Sequence, residues 1–117
     1  MITNESVFLI TEGWIIPGMF EEFKKYRIKV LDILKKYEPE FVFFSHAFEP
    51  VFGDDEEPLP TGMEVLGFDN EATARAAIAE LSALEVKDEE QKVFSRVRSY
   101  LSRAAPPEHL KKEMNWW

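Results

Sequence analysis

Ile15-Ile16-Pro17-Gly18-Met19-Phe20-Glu21-Glu22-Phe23 is the stretch where a strand pattern stops and a helix pattern starts. Pro17 has a φ already near the helical value and no N–H to satisfy, so a helix can begin at or just after it without losing a hydrogen bond. Upstream, Val7, Phe8, Leu9, Ile10 and Trp14 form a run of branched and aromatic side chains that reads as a strand from Ser6 to Trp14. Downstream the period becomes 3.6: from Met19 to Tyr37, residues such as Phe23, Tyr26, Val30 and Leu34 gather opposite Glu21, Lys25, Lys29 and Lys36.

The chain continues as a series of short elements. Glu38-Pro39-Glu40 stops the helix, because a proline disfavours αR in the residue before it. Phe41 to Phe48 reads as a second strand and Met63 to Phe68 as a third, with residues 49–62 forming a long acidic loop around Asp54-Asp55-Glu56-Glu57. Asp69-Asn70 is an N-cap signal for a helix from Glu71 to Leu84, whose inner stripe is Ala74, Ala77, Ile78, Leu81 and Leu84. Glu89 to Ala104 admits two periods. Phe94, Arg96, Arg98 and Tyr100 alternate with Val93, Ser95, Val97 and Ser99, yet Val93, Phe94, Val97, Tyr100, Leu101 and Ala104 recur at helical spacing. The helical period accounts for more of the apolar residues and predicts a third helix, a last strand being the alternative. Pro106-Pro107 would end it, leaving residues 106–117 as a tail that supplies a short strand or a dimer arm, with Trp116-Trp117 as a packing anchor.

Composition limits the function classes. A chain of 117 residues with 45% apolar side chains is one domain that can bury its own core, so a single domain over residues 1–117 is expected. With no cysteine there is no thiol chemistry, disulfide or cysteine metal site, and a cytoplasmic location is expected. A net charge of −8 disfavours nucleic acid and anionic membrane as partners. No signal-peptide pattern opens the sequence and no apolar run approaches the ~18 residues a spanning helix needs, so a soluble protein is expected. No Gly-rich phosphate loop, nucleophile elbow or His-Glu metal motif occurs, and neither cofactor nor metal is expected.

The order strand-helix-strand-strand-helix, closed by a fourth strand, is the split βαβ pattern: an α+β fold whose antiparallel sheet carries helices on one face. Both faces of its strands are apolar. On the first strand Val7, Leu9, Thr11 and Gly13 alternate with Phe8, Ile10, Glu12 and Trp14. The helices are expected on the side of Gly13, Ala47 and Gly67, where small residues allow close approach. The other side would hold Phe8, Ile10, Trp14, Val42, Phe44, Phe48, Leu66 and Phe68, more apolar surface than a monomer usually exposes, so a second copy is expected to cover it.

With these elements the chain resembles the dimeric α/β-barrel superfamily, ferredoxin-like domains that pair sheet to sheet and include antibiotic-biosynthesis-type monooxygenases and many uncharacterised members. The resemblance rests on Phe8 to Trp14, Pro17-Gly18, Glu21-Glu22-Phe23, Val30 to Tyr37 and Phe68-Asp69-Asn70-Glu71-Ala72, and covers roughly residues 6 to 105. It implies a homodimer and a fold that hosts several functions. The long acidic loop and an added helix after residue 84 depart from the pattern.

Were the open face a barrel interior, Glu12, His46 and Glu64 would share its parity with Trp14 and Phe68, bringing polar groups together in an aromatic cavity. A His beside carboxylates in such a setting suits a general base, although a single His on a strand is more often a satisfied core or rim residue. Trp14, Phe44, Phe68 and Arg27 are the matching candidates for ligand contact. Arg27 falls in the apolar sector of the first helix, where it can snorkel, pair with a carboxylate or meet an anion. The expected function is binding of a small apolar or aromatic molecule. The alternatives are a cofactor-independent monooxygenase or isomerase using His46, and a structural dimerisation module with a filled interior.

Overall fold

The computed structural model describes residues 2–53 and 57–103. Strand β1 (Val7–Ile15) leads into helix α1 (Phe20–Leu34), which tightens into a 3₁₀ turn over Lys35–Tyr37. Then come β2 (Glu40–Ser45), β3 (Gly62–Phe68), α2 (Glu71–Leu81), α3 (Leu84–Val93) and β4 (Phe94–Arg103). The strands form one antiparallel sheet in the order β2-β3-β1-β4, with the helices on one face: the ferredoxin-like arrangement.

Local chemistry explains the boundaries. Gly18 has φ +87°, a left-handed conformation that glycine adopts without strain, and it lets Met19 N–H reach the Ile16 carbonyl at 3.0 Å before α1 starts. Glu38, with φ 49°, turns the chain out of the 3₁₀ segment ahead of Pro39. The Asn70 side chain accepts the Thr73 N–H at 2.8 Å and caps α2.

The expected helix over residues 89–104 is corrected. α3 ends at Val93, and residues 94–103 are strand β4, paired with β1 along its whole length. The alternation of Val97, Ser99 and Leu101 with Arg96, Arg98 and Tyr100 was the true signal. β1 offers a second edge of unpaired backbone groups, and a strand satisfies them where a further helix would not. Helix passes into strand with no turn residue between them, and this hid the change of period. The tail expected to form a last strand or arm lies outside the described residues.

The face assignment is also corrected. In the β1–β3 register Val7 stands opposite Phe68 and Leu9 opposite Leu66, so these four share the helix-facing side. They form the core with Leu34, Ala74 and Ala77, and Phe68 is 2% exposed. A register shift between Phe41 and Phe43 then changes the parity of β2, placing Phe44 beside Glu64 on the helix side and Phe43 beside Val65 on the open side. A strand's alternation reveals two faces, and only the register says which face joins its neighbour's.

The open face carries Phe8, Ile10 and Trp14 of β1 with Val42, Phe43 and Tyr100, the last three 41%, 46% and 42% exposed. Across it the end of the long loop is tied down. The Trp14 indole N–H donates to the Pro58 carbonyl at 2.9 Å, and Arg96 lies 4.6 Å over the Trp14 ring while pairing with Glu57 at 3.3 Å. Among the described residues no helix is long and apolar enough to cross a membrane.

Candidate functional site

The space between helices and sheet is filled at one end and open at the other. At the filled end, Val7, Leu9, Leu66 and Phe68 meet Leu34 and the alanine stripe of α2, whose short side chains let the helix settle onto the sheet. At the other end the sheet floor carries the small side chains of Thr11 and Ser99, while the Phe94 and Phe44 rings pack over Gly13 and Gly62 at its margins. A cavity of about 430 Å³ remains. Its walls are Phe23 and Val30 of α1, Ile78 and Leu81 at the end of α2, Phe94, and Leu101 of β4.

Polar groups enter this apolar space at three places. On the floor, the Thr11 and Ser99 hydroxyls bond each other at 3.1 Å. Beneath α3, Tyr26 donates its O–H to Glu90 at 3.1 Å, and Lys87 lies 3.5 Å from the same carboxylate. Burial, and next the Glu90 charge, hold the Tyr26 phenol well above its ordinary value of 10.0, so it stays protonated. Towards β2, Arg27 forms an ion pair with Glu64 and stands 5.2 Å over the Phe44 ring. The Phe44 ring meets His46 edge-on, with centroids 5.0 Å apart.

His46 sits at the exposed rim of the cavity, with Nδ1 3.0 Å from the Thr61 carbonyl oxygen. A carbonyl only accepts, so this contact needs the proton on Nδ1, and in the neutral ring it leaves Nε2 as a free acceptor. Thr61 is fixed in turn: its N–H donates to the Gly13 carbonyl at 2.8 Å and its hydroxyl accepts the Ile15 N–H at 3.0 Å.

Of the residues singled out from sequence, His46, Glu64, Phe44 and Arg27 are brought together along the cavity. Glu12, Trp14 and Phe68 are not. Glu12 and Trp14 lie on the opposite face of the sheet, Glu12 being 3.9 Å from Arg98 there, and Phe68 is buried in the filled end of the core. The expected convergence of Glu12, His46 and Glu64 therefore fails: β1 and β3 pair residues of opposite parity. Sequence reasoning missed Tyr26, Glu90, Thr11 and Ser99. The available signal was polarity at core-facing positions, a phenol inside the α1 apolar stripe and hydroxyls in phase with Leu9 and Leu101. Among the described residues no three His, Asp or Glu side chains gather at metal-binding distances.

No protein-family model and no curated protein matches this sequence. Solved structures do share the fold. A protein of unknown function from Rhodopseudomonas palustris superposes with a TM-score of 0.72 at 11% identity, over 90% of this chain and 86% of its own. SnoaB, a cofactor-independent oxygenase from Streptomyces nogalater, gives 0.60 at 13% identity over 87% and 95% of the two chains. A dimeric protein of unknown function with a ferredoxin-like fold from Bacteroides fragilis gives 0.60 at 6% identity over 88% of this chain and 100% of its own. The similarity read from the sequence thus holds for the fold, and such identities carry the fold alone.

Proposed function

We propose that the protein binds a small, mainly apolar or aromatic molecule between its helices and its sheet. One observation carries this reading: the void of about 430 Å³ between the sheet, with Thr11 and Ser99 on its floor, and the apolar side chains of Val30, Leu81 and Leu101. Its size lies in the range of small-molecule pockets, ~300–1,000 Å³, and its few polar groups are of the kind that orient a ligand. A dimerisation module with a packed interior has no use for this space. A cytoplasmic setting, which suits a cysteine-free chain, belongs to the same reading. The test is an NMR titration with 2-methoxynaphthalene, following the methyl signals of Val30 and Leu101. Saturable shifts in the wild type that vanish in Ser99→Phe, whose ring occupies the floor of the cavity, are expected. Shifts that ignore the substitution, or none at all, refute the proposal.

The same proposal includes a homodimer through the open face. Val42, Phe43 and Tyr100 are each more than one-third exposed beside Phe8 and Ile10, a contiguous apolar patch of the kind that marks an interface. The similar B. fragilis protein is described as dimeric.

A second reading, a cofactor-independent oxygenase or isomerase, is favoured by His46. The Thr61 carbonyl leaves Nε2 free to accept, and SnoaB, of similar fold, is a cofactor-independent oxygenase. Nε2 would take a proton from an acidic C–H of the bound molecule and leave the electron pair on carbon. Return of that proton to another carbon is an isomerisation, and attack of the carbanion on dioxygen is an oxygenation. Deuterium uptake or oxygen consumption by a bound ligand, abolished in His46→Gln while binding persists, is the outcome this reading requires.

A further inference from the structure

Thr11 of β1 and Ser99 of β4 stand opposite each other in the sheet, in phase with Leu9 and Leu101, so both hydroxyls lie on the helix-facing side and line the cavity. Their oxygens are 3.1 Å apart. Each hydroxyl carries a single proton, and their mutual bond uses only one of the pair. Whichever residue donates, the other keeps an O–H that no group among the described residues accepts.

Thr11 is half-buried and Ser99 exposed, so water can take this proton in the free protein. A ligand that fills the cavity ends that arrangement. Its body covers the floor and displaces the water, and a purely apolar body leaves the donor unpaired. An unpaired donor in a desolvated place is costly, whereas spare lone pairs on an oxygen are tolerated more readily. The phenol and the guanidinium in the walls are already engaged, Tyr26 with Glu90 and Arg27 with Glu64.

We infer that the cavity takes a mainly apolar ligand bearing a carbonyl-type oxygen, which accepts the spare proton of the Thr11–Ser99 pair while the apolar body lies against Val30, Leu81 and Leu101. The inference deepens the ligand-binding reading proposed above and rests on it. The hydroxyl pair then fixes which end of the ligand points at the sheet, and it does so with either residue as the donor.

The experiment is an NMR titration of the full chain with two probes of one shape, the ketone 2-acetylnaphthalene and the hydrocarbon 2-isopropenylnaphthalene, following the methyl signals of Val30 and Leu101. The hydrocarbon reports the apolar contacts and the ketone adds the acceptor. In the double variant Thr11→Val with Ser99→Ala, which removes both protons, the ratio of ketone to hydrocarbon affinity is expected to fall at least about fivefold from its wild-type value. Circular dichroism checks that the variant folds. Should it not, the infrared carbonyl stretch of the ketone bound to the wild type decides: a frequency below that in hexane is expected, and the hexane frequency overturns the inference. A ratio unchanged in the double variant, with the hydrocarbon still bound, places the acceptor elsewhere; it ends this inference and leaves the ligand-binding reading standing. Failure of both probes to bind the wild type ends both.

Discussion

The Phe94 ring packs against Gly13: a Cβ at residue 13 would come within 2.7 Å of Phe94 Cε1. The same ring meets Phe23 and Tyr26 edge-on, with centroids 5.8 and 5.7 Å away, so it cannot retreat without disturbing α1. Gly13→Ala is therefore expected to destabilise the fold by about 1–3 kcal/mol, the usual cost of overpacking. In chemical denaturation the double variant Gly13→Ala with Phe94→Leu should lose less than the sum of the two single changes.

Phe68 is among the largest fully buried side chains and touches the alanine stripe of α2 through the shared core. Truncation to alanine is expected to cost about 3–5 kcal/mol, read from the urea midpoint, because the packed end of the core has no spare space into which to collapse.

The open face carries a different expectation. Phe43→Glu leaves the helix-facing core untouched, so thermal unfolding of the monomer should change little. Light scattering after size exclusion should report a dimer for the wild type and a monomer for the variant. A wild-type monomer at micromolar concentration would sink the proposed interface.

Tyr26 gives a pH dependence with a definite sign. Its folded-state pKa is raised above 10.0, chiefly by burial and then by Glu90, so its contribution is complete below the unfolded pKa and fades as pH rises past 10.0. Wild-type stability measured by denaturant should therefore fall more steeply between pH about 9 and 11 than that of Tyr26→Phe. Parallel curves for the two proteins would show that the phenol is not held protonated.

Breaking the Arg27–Glu64 pair from one side should cost more than removing it whole. Arg27→Met leaves a largely buried carboxylate without its cation, at an expected about 1–3 kcal/mol given the partial exposure of both groups. Arg27→Met with Glu64→Leu should recover most of that loss in the same denaturation assay.

Much of the architecture was written in local chemistry. Pro17-Gly18 marked the strand-to-helix junction, Asn70 the cap of α2, and the Ala74, Ala77 and Ile78 stripe its inner face. What escaped was non-local. That Val7 pairs with Phe68 is decided across three elements and a long loop, and nothing in either strand reveals it. A one-residue irregularity between Phe41 and Phe43 was enough to move Phe44 from one face to the other. The site inherited both difficulties: His46, Glu64, Phe44 and Arg27 were recognisable as unusual residues, whereas their separation from Glu12 and Trp14 depended on register. β4 escaped for another reason, since Val93, Phe94, Val97 and Leu101 satisfy both periods and only a free sheet edge chooses between them.

The long connection between β2 and β3 is clasped just before it rejoins the sheet, through Pro58 to Trp14 and Thr61 to Gly13 and Ile15. The clasp makes the return address of the chain independent of the route taken to it. Doubling such a route costs only about 0.6 kcal/mol of closure entropy. Residues 47–53, which precede the clasp, are therefore a natural docking bay for engineered cargo, where a peptide tag or a sensor module can be spliced without redrawing the anchored return to β3.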